Sequence, residues 1–240
     1  MEMDDGYSFG IGAFETMLVY GDRCVMAEKH ISRLSAALAS LGIDRRLSAE
    51  DLECEVSGGR LDGRVLKVMV SERNTIFADR PFPYMPDKYR DGLRICRSQV
   101  MRNETSPFTY IKSLQYGENI TEKRKASASG FDECVFLNSK GQICEGSSCN
   151  IFFCDDDEIV TPPVSCGLLP GTVREYLLDN YDVSERTLVP EDIDGFDSCF
   201  VTNSVMGIMP VKSIDGRTFD GFRIAEDLRR EYIERVDGGL

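Results

Sequence analysis

Three short segments of this 240-residue chain carry side chains whose chemistry is complementary. Lys112 lies in Ser106-Pro107-Phe108-Thr109-Tyr110-Ile111-Lys112-Ser113-Leu114-Gln115-Tyr116. Glu145 lies in a Gly/Ser-rich turn, Cys144-Glu145-Gly146-Ser147-Ser148-Cys149-Asn150-Ile151-Phe152-Phe153. The third segment, Leu168-Leu169-Pro170-Gly171-Thr172-Val173-Arg174, puts a glycine just ahead of a helical pattern. A primary amine can condense with a carbonyl and, when burial lowers its pKa, take a proton from a neighbouring carbon. A carboxylate can keep a heteroaromatic nitrogen protonated. A helix start offers backbone N–H groups and the positive end of its dipole to an anion. Taken singly, each segment has a plain reading: a solvated lysine, a strand-end acid, a structural turn. Taken together, amine, acid and anion cradle are the parts needed to hold pyridoxal 5′-phosphate.

These groups need elements to position them. Alternation over residues 13–19 predicts a strand, followed by a turn at Gly21-Asp22 and a second strand near 24–26, a hairpin. Ile31, Leu34, Leu38 and Leu41 recur at helical spacing over 28–41, and Gly42 ends that helix. A short helix at 48–56 and a strand at 64–71 follow. Pro81, Pro83 and Pro86 suit neither a central strand nor a helix interior, so this stretch is expected to connect two domains. The expected division is a small N-terminal α+β domain, residues 1–84, and a larger C-terminal domain, 85–240, that holds Lys112. The second part reads as a strand at 93–98, the lysine loop, a helix at 113–127 and a strand at 133–138. After a turn at Lys140-Gly141 come strands at 143–145 and 150–154, then a solvated turn at Asp155-Asp156-Asp157. Strands at 159–161 and 198–202 bracket a helix at 172–180, and an amphipathic helix at 224–236 ends the pattern. Many strands are joined by short turns, which favours an α+β fold over a doubly wound sheet.

Composition narrows the function classes. A formal charge of −13, from 41 acidic against 28 basic residues, argues against nucleic acid as a partner. No apolar run approaches the roughly 18 residues of a membrane span, and the acidic start Met1-Glu2-Met3-Asp4-Asp5 is unlike a secretory signal. The nine cysteines are scattered with no Cys-x-x-Cys pair, and His30 is the only histidine, so no metal site is expected. Reduced thiols and a cytoplasmic setting are the expectation.

The three segments, in this order, resemble the class IV aminotransferase family, the fold-type-IV pyridoxal-phosphate enzymes. The likeness runs from about Gly6 to Val211. It implies a two-domain fold, a homodimer and a small-molecule amine substrate. It also implies roles. Lys112, in Arg-Asn-x-x-Ser-Pro-x-x-x-x-Lys-Ser-Leu-x-Tyr, would be the Schiff-base lysine, and Glu145, in Glu-Gly-Ser-Ser-x-Asn-Ile-Phe, would face the pyridine nitrogen. Ser148 and Asn150 would shape that turn and reach the cofactor, or only cap it. Arg33, in His30-Ile31-Ser32-Arg33-Leu34, would pair with the phosphate alongside Leu169, Thr172, Val173 and Ser204. The family's usual Gly-Ile-Thr is Gly-Thr-Val here, which moves the hydroxyl by one residue and leaves a direct Thr172 contact open. His30 is expected to be structural. The family's usual strand ahead of the Gly-rich start is not written in the residues before Gly6. On the substrate side, Asn203, in Thr202-Asn203-Ser204-Val205-Met206, resembles the segment of aminodeoxychorismate lyases. Phe14 would line the substrate site. Thr16 would act near a leaving enolpyruvyl group, or serve only as a β-branched strand residue. The expected activity is a lyase releasing pyruvate and 4-aminobenzoate from 4-amino-4-deoxychorismate, in folate biosynthesis. A branched-chain or D-amino-acid aminotransferase is the alternative, with a non-catalytic carrier of the cofactor behind it.

Overall fold

The computed structural model describes residues 1–156, 158–219 and 221–238; Asp157, the last residue of the expected acidic turn, lies outside them. The chain divides into two compact units. One is formed by Met1–Pro83 with Ile111–Tyr116 and the chain from Glu234, the other by Tyr84–Tyr110 and Gly117–Ile233.

The first unit begins with α1 (Asp5–Phe9), β1 (Gly12–Tyr20), β2 (Arg23–Cys24), α2 (Ala27–Ser40), α3 (Ala49–Val56), β3 (Arg64–Ser71) and β4 (Thr75–Pro81). The strands form an antiparallel sheet in the order β2-β1-β3-β4. On β1, Ala13, Met17 and Val19 turn to one face and meet Leu34, Ala37 and Leu38 of α2 in a single apolar core. Burying each such leucine is worth about 1.5–3 kcal/mol, so the helical stripe of α2 fixes which sheet face it covers. Ser48 caps α3 through a capping box with Asp51, and Gly42, at φ 71°, ends the turn after α2. The strand β4 was not expected from its prolines. It is an edge strand, with Pro81 its last residue opposite Arg64, where a missing N–H does no harm.

The second unit contains α4 (Pro86–Asp91), β5 (Leu93–Arg97), α5 (Gly117–Ala128), β6 (Glu133–Leu137), β7 (Ile143–Gly146), β8 (Asn150–Asp155) and β9 (Glu158–Thr161). These are followed by α6 (Thr172–Asn180), β10 (Val183–Glu185), β11 (Ser198–Asn203), β12 (Gly207–Ile214), β13 (Arg217–Thr218) and α7 (Arg223–Gly238). Its nine-stranded sheet runs β10-β9-β8-β11-β12-β5-β6-β7, with β13 beside β12. The pairs β12–β5, β5–β6 and β9–β10 are parallel and the others antiparallel, a mixed α+β arrangement. The strands β7 and β8 are buried almost throughout, and the Ile151–Cys154 run of β8 is apolar without a break.

Two expectations change. The helix expected at 113–127 begins only at Gly117, and the Lys112 segment belongs to the first unit rather than to the larger one. The cause is β1. Because β2 pairs only with its far end, the near half of β1 has an open edge, and the 112–114 backbone occupies it. Phe14 N–H donates to the Lys112 carbonyl at 2.9 Å, Leu114 N–H donates to the Gly12 carbonyl at 2.9 Å, and Ala13 bridges Ser113. Gly12 is required there: a Cβ would stand 2.6 Å from Leu114 Cδ1 and 2.5 Å from the Val70 carbonyl oxygen.

Candidate active site

In the first unit, extended backbone at 112–114 alternates its side chains, so Lys112 leaves on the face opposite the buried Ser113. Its Nζ lies 4.6 Å from the Phe14 ring centroid and 5.1 Å from that of Tyr116, and the two rings meet edge to face at 5.0 Å. An amine against two aromatic faces is partly shielded from water yet still attracted as a cation. Phe14 and Thr16 share one face of β1, and Thr16 stands opposite Lys67 of β3. The Lys67 ammonium is 4.2 Å from the Phe14 centroid. Burial, then the positive charge of Arg80, lowers its pKa. Arg80 opposes Val65, which puts it on the same face as Lys67 by strand alternation.

The other face of β1 holds a charged cluster inside the core. Glu15 is 1% exposed. Arg33 grips it with both prongs, Nε to Oε1 and Nη2 to Oε2 at 2.7 Å each, and His30 Nδ1 lies 2.6 Å from Oε2. Burial alone would raise the Glu15 pKa, but the charges and hydrogen bonds of Arg33 and His30 hold it well below the carboxylate range. Burial lowers the pKa of His30, against the pull of Glu15. A neutral ring that donates from Nδ1 to the carboxylate follows, with Nε2 buried and without a partner. Arg33, expected at a phosphate, therefore has two of its donors on Glu15.

In the second unit, Glu145 is the last residue but one of β7 and is 7% exposed. Arg102 Nη2 donates to its Oε1 at 3.0 Å, and Leu169 N–H donates to Oε2 at 3.1 Å. Asn150 Nδ2 donates to the Leu169 carbonyl at 2.8 Å, so Leu169 is clamped between Glu145 and Asn150. Gly171 follows as the N-cap of α6, and a Cβ there would collide with Asn150 Oδ1. No side chain caps α6. Thr172 is buried with its Oγ1 unpartnered, and Val173 is buried beside it. An uncapped helix start with an orphaned hydroxyl, closed in by a glycine that admits no larger residue, has the donor set for an anion. Thr202 adds a second buried, unpartnered hydroxyl on β11.

Ser148 and Asn203 both fasten turns. Ser148 Oγ receives Lys123 Nζ at 3.2 Å and donates to Glu133 at 3.3 Å. Asn203 was expected to offer a donor and an acceptor to substrate. Its Oδ1 accepts Val205 and Met206 N–H at 2.9 and 2.8 Å, and its Nδ2 donates to the Ser148 carbonyl at 3.0 Å and the Tyr84 hydroxyl at 3.2 Å. The side-chain amide thus closes its own turn. Ser204 begins that turn, half-buried. Sequence reasoning missed Glu15, Arg102 and Glu133. The one available signal was an acid inside an alternating apolar strand, since a buried carboxylate demands a cationic partner. Among the described residues, no His/Cys/Asp/Glu cluster is arranged for a metal, and no helix is long and apolar enough to cross a membrane.

The chain is similar to a putative branched-chain-amino-acid aminotransferase from Methanocaldococcus jannaschii, 28% identical with 93% of this chain and 85% of that protein covered. It is similar to the aminodeoxychorismate lyase of Bacillus subtilis, 26% identical over 88% of this chain and 80% of that one. Its fold matches the crystal structure of a putative 4-amino-4-deoxychorismate lyase from Legionella pneumophila with a TM-score of 0.88, at 26% identity, covering 98% and 95% of the two chains. Residues 12–214 match the family described as amino-transferase class IV, so the chain belongs to that family of pyridoxal-phosphate enzymes.

Proposed function

We propose that this enzyme is a 4-amino-4-deoxychorismate lyase, forming 4-aminobenzoate and pyruvate. The observation that carries the reading is the face of the first unit's sheet that bears Phe14 and Thr16. Lys67 and Arg80 stand on it, within electrostatic reach of each other. Two cations on one face suit a substrate with two carboxylates, which the proposed one has. The likeness to the Legionella pneumophila protein supports the same reading.

The residues fit the cofactor. Lys112 would carry its aldehyde end, Glu145 its ring nitrogen, and Thr172, Val173 and Ser204 its phosphate. The buried, unpartnered Thr172 hydroxyl at an uncapped helix start is the feature such a phosphate would satisfy. When bound, pyridoxal phosphate supplies an electron-withdrawing ring that takes up the electron pair left by deprotonation beside the substrate nitrogen. Lys112 Nζ, shielded by Phe14 and Tyr116, removes the proton from the substrate carbon bearing the amine. The bond between the neighbouring ring carbon and the enolpyruvyl oxygen then breaks. The enolpyruvate accepts a proton, to which Thr16 is the adjacent hydroxyl, and the ring becomes aromatic. Lys67 and Arg80 orient the carboxylates throughout.

A second reading, an aminotransferase, is favoured by relatives such as the Methanocaldococcus jannaschii protein. The test supplies chorismate and glutamine through a separate aminodeoxychorismate synthase and follows 4-aminobenzoate and pyruvate by chromatography. Parallel reactions contain L-leucine or D-alanine with 2-oxoglutarate. Equal yields of the two products, abolished in Lys112→Ala and strongly reduced in Lys67→Met, are expected. Amino transfer without pyruvate would replace the lyase reading with the aminotransferase.

A further inference from the structure

Behind the Glu145 turn lies an ion pair that neither the chemistry above nor the core requires. Glu133 opens β6 with its side chain 3% exposed, and Lys123 of α5 reaches its Oε2 at 2.9 Å. The other acceptor positions of Glu133 are also filled. Oε1 takes the N–H of Cys134 at 2.9 Å, the N–H of Ser147 at 3.2 Å, and the Ser147 hydroxyl; Oε2 takes the Ser148 hydroxyl at 3.3 Å. Lys123 Nζ donates to Ser148 Oγ as well. One carboxylate and one ammonium thus hold both serines of the turn that follows Glu145.

The network continues in two directions. Asn119 Nδ2 donates to the Ser147 carbonyl at 2.7 Å, and its Oδ1 accepts from Arg102, the arginine on Glu145. Asn203 donates to the Ser148 carbonyl and receives the backbone N–H groups of Val205 and Met206. Two separate turns, one after Glu145 and one around Ser204, are therefore joined through Ser148. The pair is only half-buried, since 35% of the Lys123 side chain is exposed, and a pair so open to water contributes little net stability, so stability alone does not account for it here. Every side-chain partner that Glu133 takes, apart from Lys123, belongs to one turn, which is the signature of a group that fixes geometry.

We propose that the Lys123–Glu133 pair is a positioning device that holds the Glu145 turn and the 203–206 turn in register before the cofactor arrives. The proposal rests on the reading above for what those turns hold. It predicts that the two turns loosen together when the pair is broken.

The test uses apoprotein of the full chain. Hydrogen exchange is followed by mass spectrometry in peptides covering 145–149, 203–207 and the β8–β11 ladder, and pyridoxal phosphate is then titrated by absorbance. In Glu133→Gln, exchange at Ser147 and at Val205–Met206 should accelerate by on the order of tenfold while the ladder is unchanged, and affinity for pyridoxal phosphate should fall by a similar factor. Lys123→Arg should keep both near the starting values. If Glu133→Gln does not fold, Ser148→Ala removes the pair's hold on the residue that joins the two turns and should give the same paired effect in smaller measure. Acceleration confined to 145–149, uniform acceleration throughout, or loosened turns with unchanged affinity would each overturn the proposal. These readings involve no substrate, so a failed lyase assay does not touch them. A starting protein that fails to bind pyridoxal phosphate would sink the functional reading, while the exchange data still decide whether the turns are joined.

Discussion

Each unit buries a carboxylate against an arginine, and the two pairs are built for different ends. Glu15, 1% exposed, receives two prongs of Arg33 and the ring of His30, so strand β1 and helix α2 are fastened by charge inside the core. Glu145, 7% exposed, takes one bond from Arg102 and one from Leu169 N–H. Arg102 in turn divides its donors among Glu145, Glu118 and Asn119, with its guanidinium 4.1 Å from the Phe136 centroid. The first carboxylate joins a strand to a helix and the second joins several loops. A carboxylate that fastens strand to helix serves the fold first, whereas a joint between loops can also be adjusted to a ligand.

Breaking the strand-to-helix pair should have the largest effect on stability. Glu15→Ala leaves Arg33 and His30 without their acceptor in the core and is expected to lower unfolding free energy by about 3–4 kcal/mol. Glu145→Ala leaves Arg102 with Glu118 and Asn119 and should cost only about 1–2 kcal/mol while abolishing turnover. Urea unfolding of both variants checks the order, and a larger loss from Glu145→Ala would contradict the contrast.

Acid sharpens it further. The His30 pKa is held below its ordinary 6.5, so the unfolded chain binds that proton more readily and stability should decline as pH falls below about 6.5. The Glu15 pKa is held below its ordinary 4.5, so its contribution is complete above that value and is lost as pH falls further. Unfolding measured from pH 7 to pH 4 should show the first decline, and His30→Gln should flatten it. A pH profile identical in the variant would mean that the buried ring does not titrate as described.

The most local effect is at the start of α6. Gly171→Ala forces Asn150 away from the start of α6 and should break its bond to Leu169. A cost of about 1–2 kcal/mol is expected, with a weaker hold on pyridoxal phosphate, read by titration of the apoprotein. Unchanged affinity would remove Gly171 from the cradle.

The contrast between the pairs also marks what the sequence could disclose. Lys112, Glu145 and Gly171-Thr172 stand in local patterns whose chemistry is legible without a fold, and α2, α3, β3 and α6 follow from periodicity and caps. Glu15 was not legible as a partner of Arg33, because pairing across strand and helix depends on which β1 face the helix covers. The strand β4 was obscured by Pro81, which only an edge position permits. The start of α5 moved to Gly117 because an open edge on β1 captured the residues before it, a tertiary effect with no local signal. The hold of Asn203 on its own turn was hidden for a related reason: an amide can close a turn, and local wording does not show which N–H groups it will meet.

The most direct measurement is reductive trapping. The protein loaded with pyridoxal phosphate is treated with borohydride, digested, and searched for a pyridoxyl group on its lysines by mass spectrometry. The account predicts the group on Lys112, with Lys67 and Lys123 unmodified. A pyridoxyl group on either of those lysines, or none on Lys112, would contradict it.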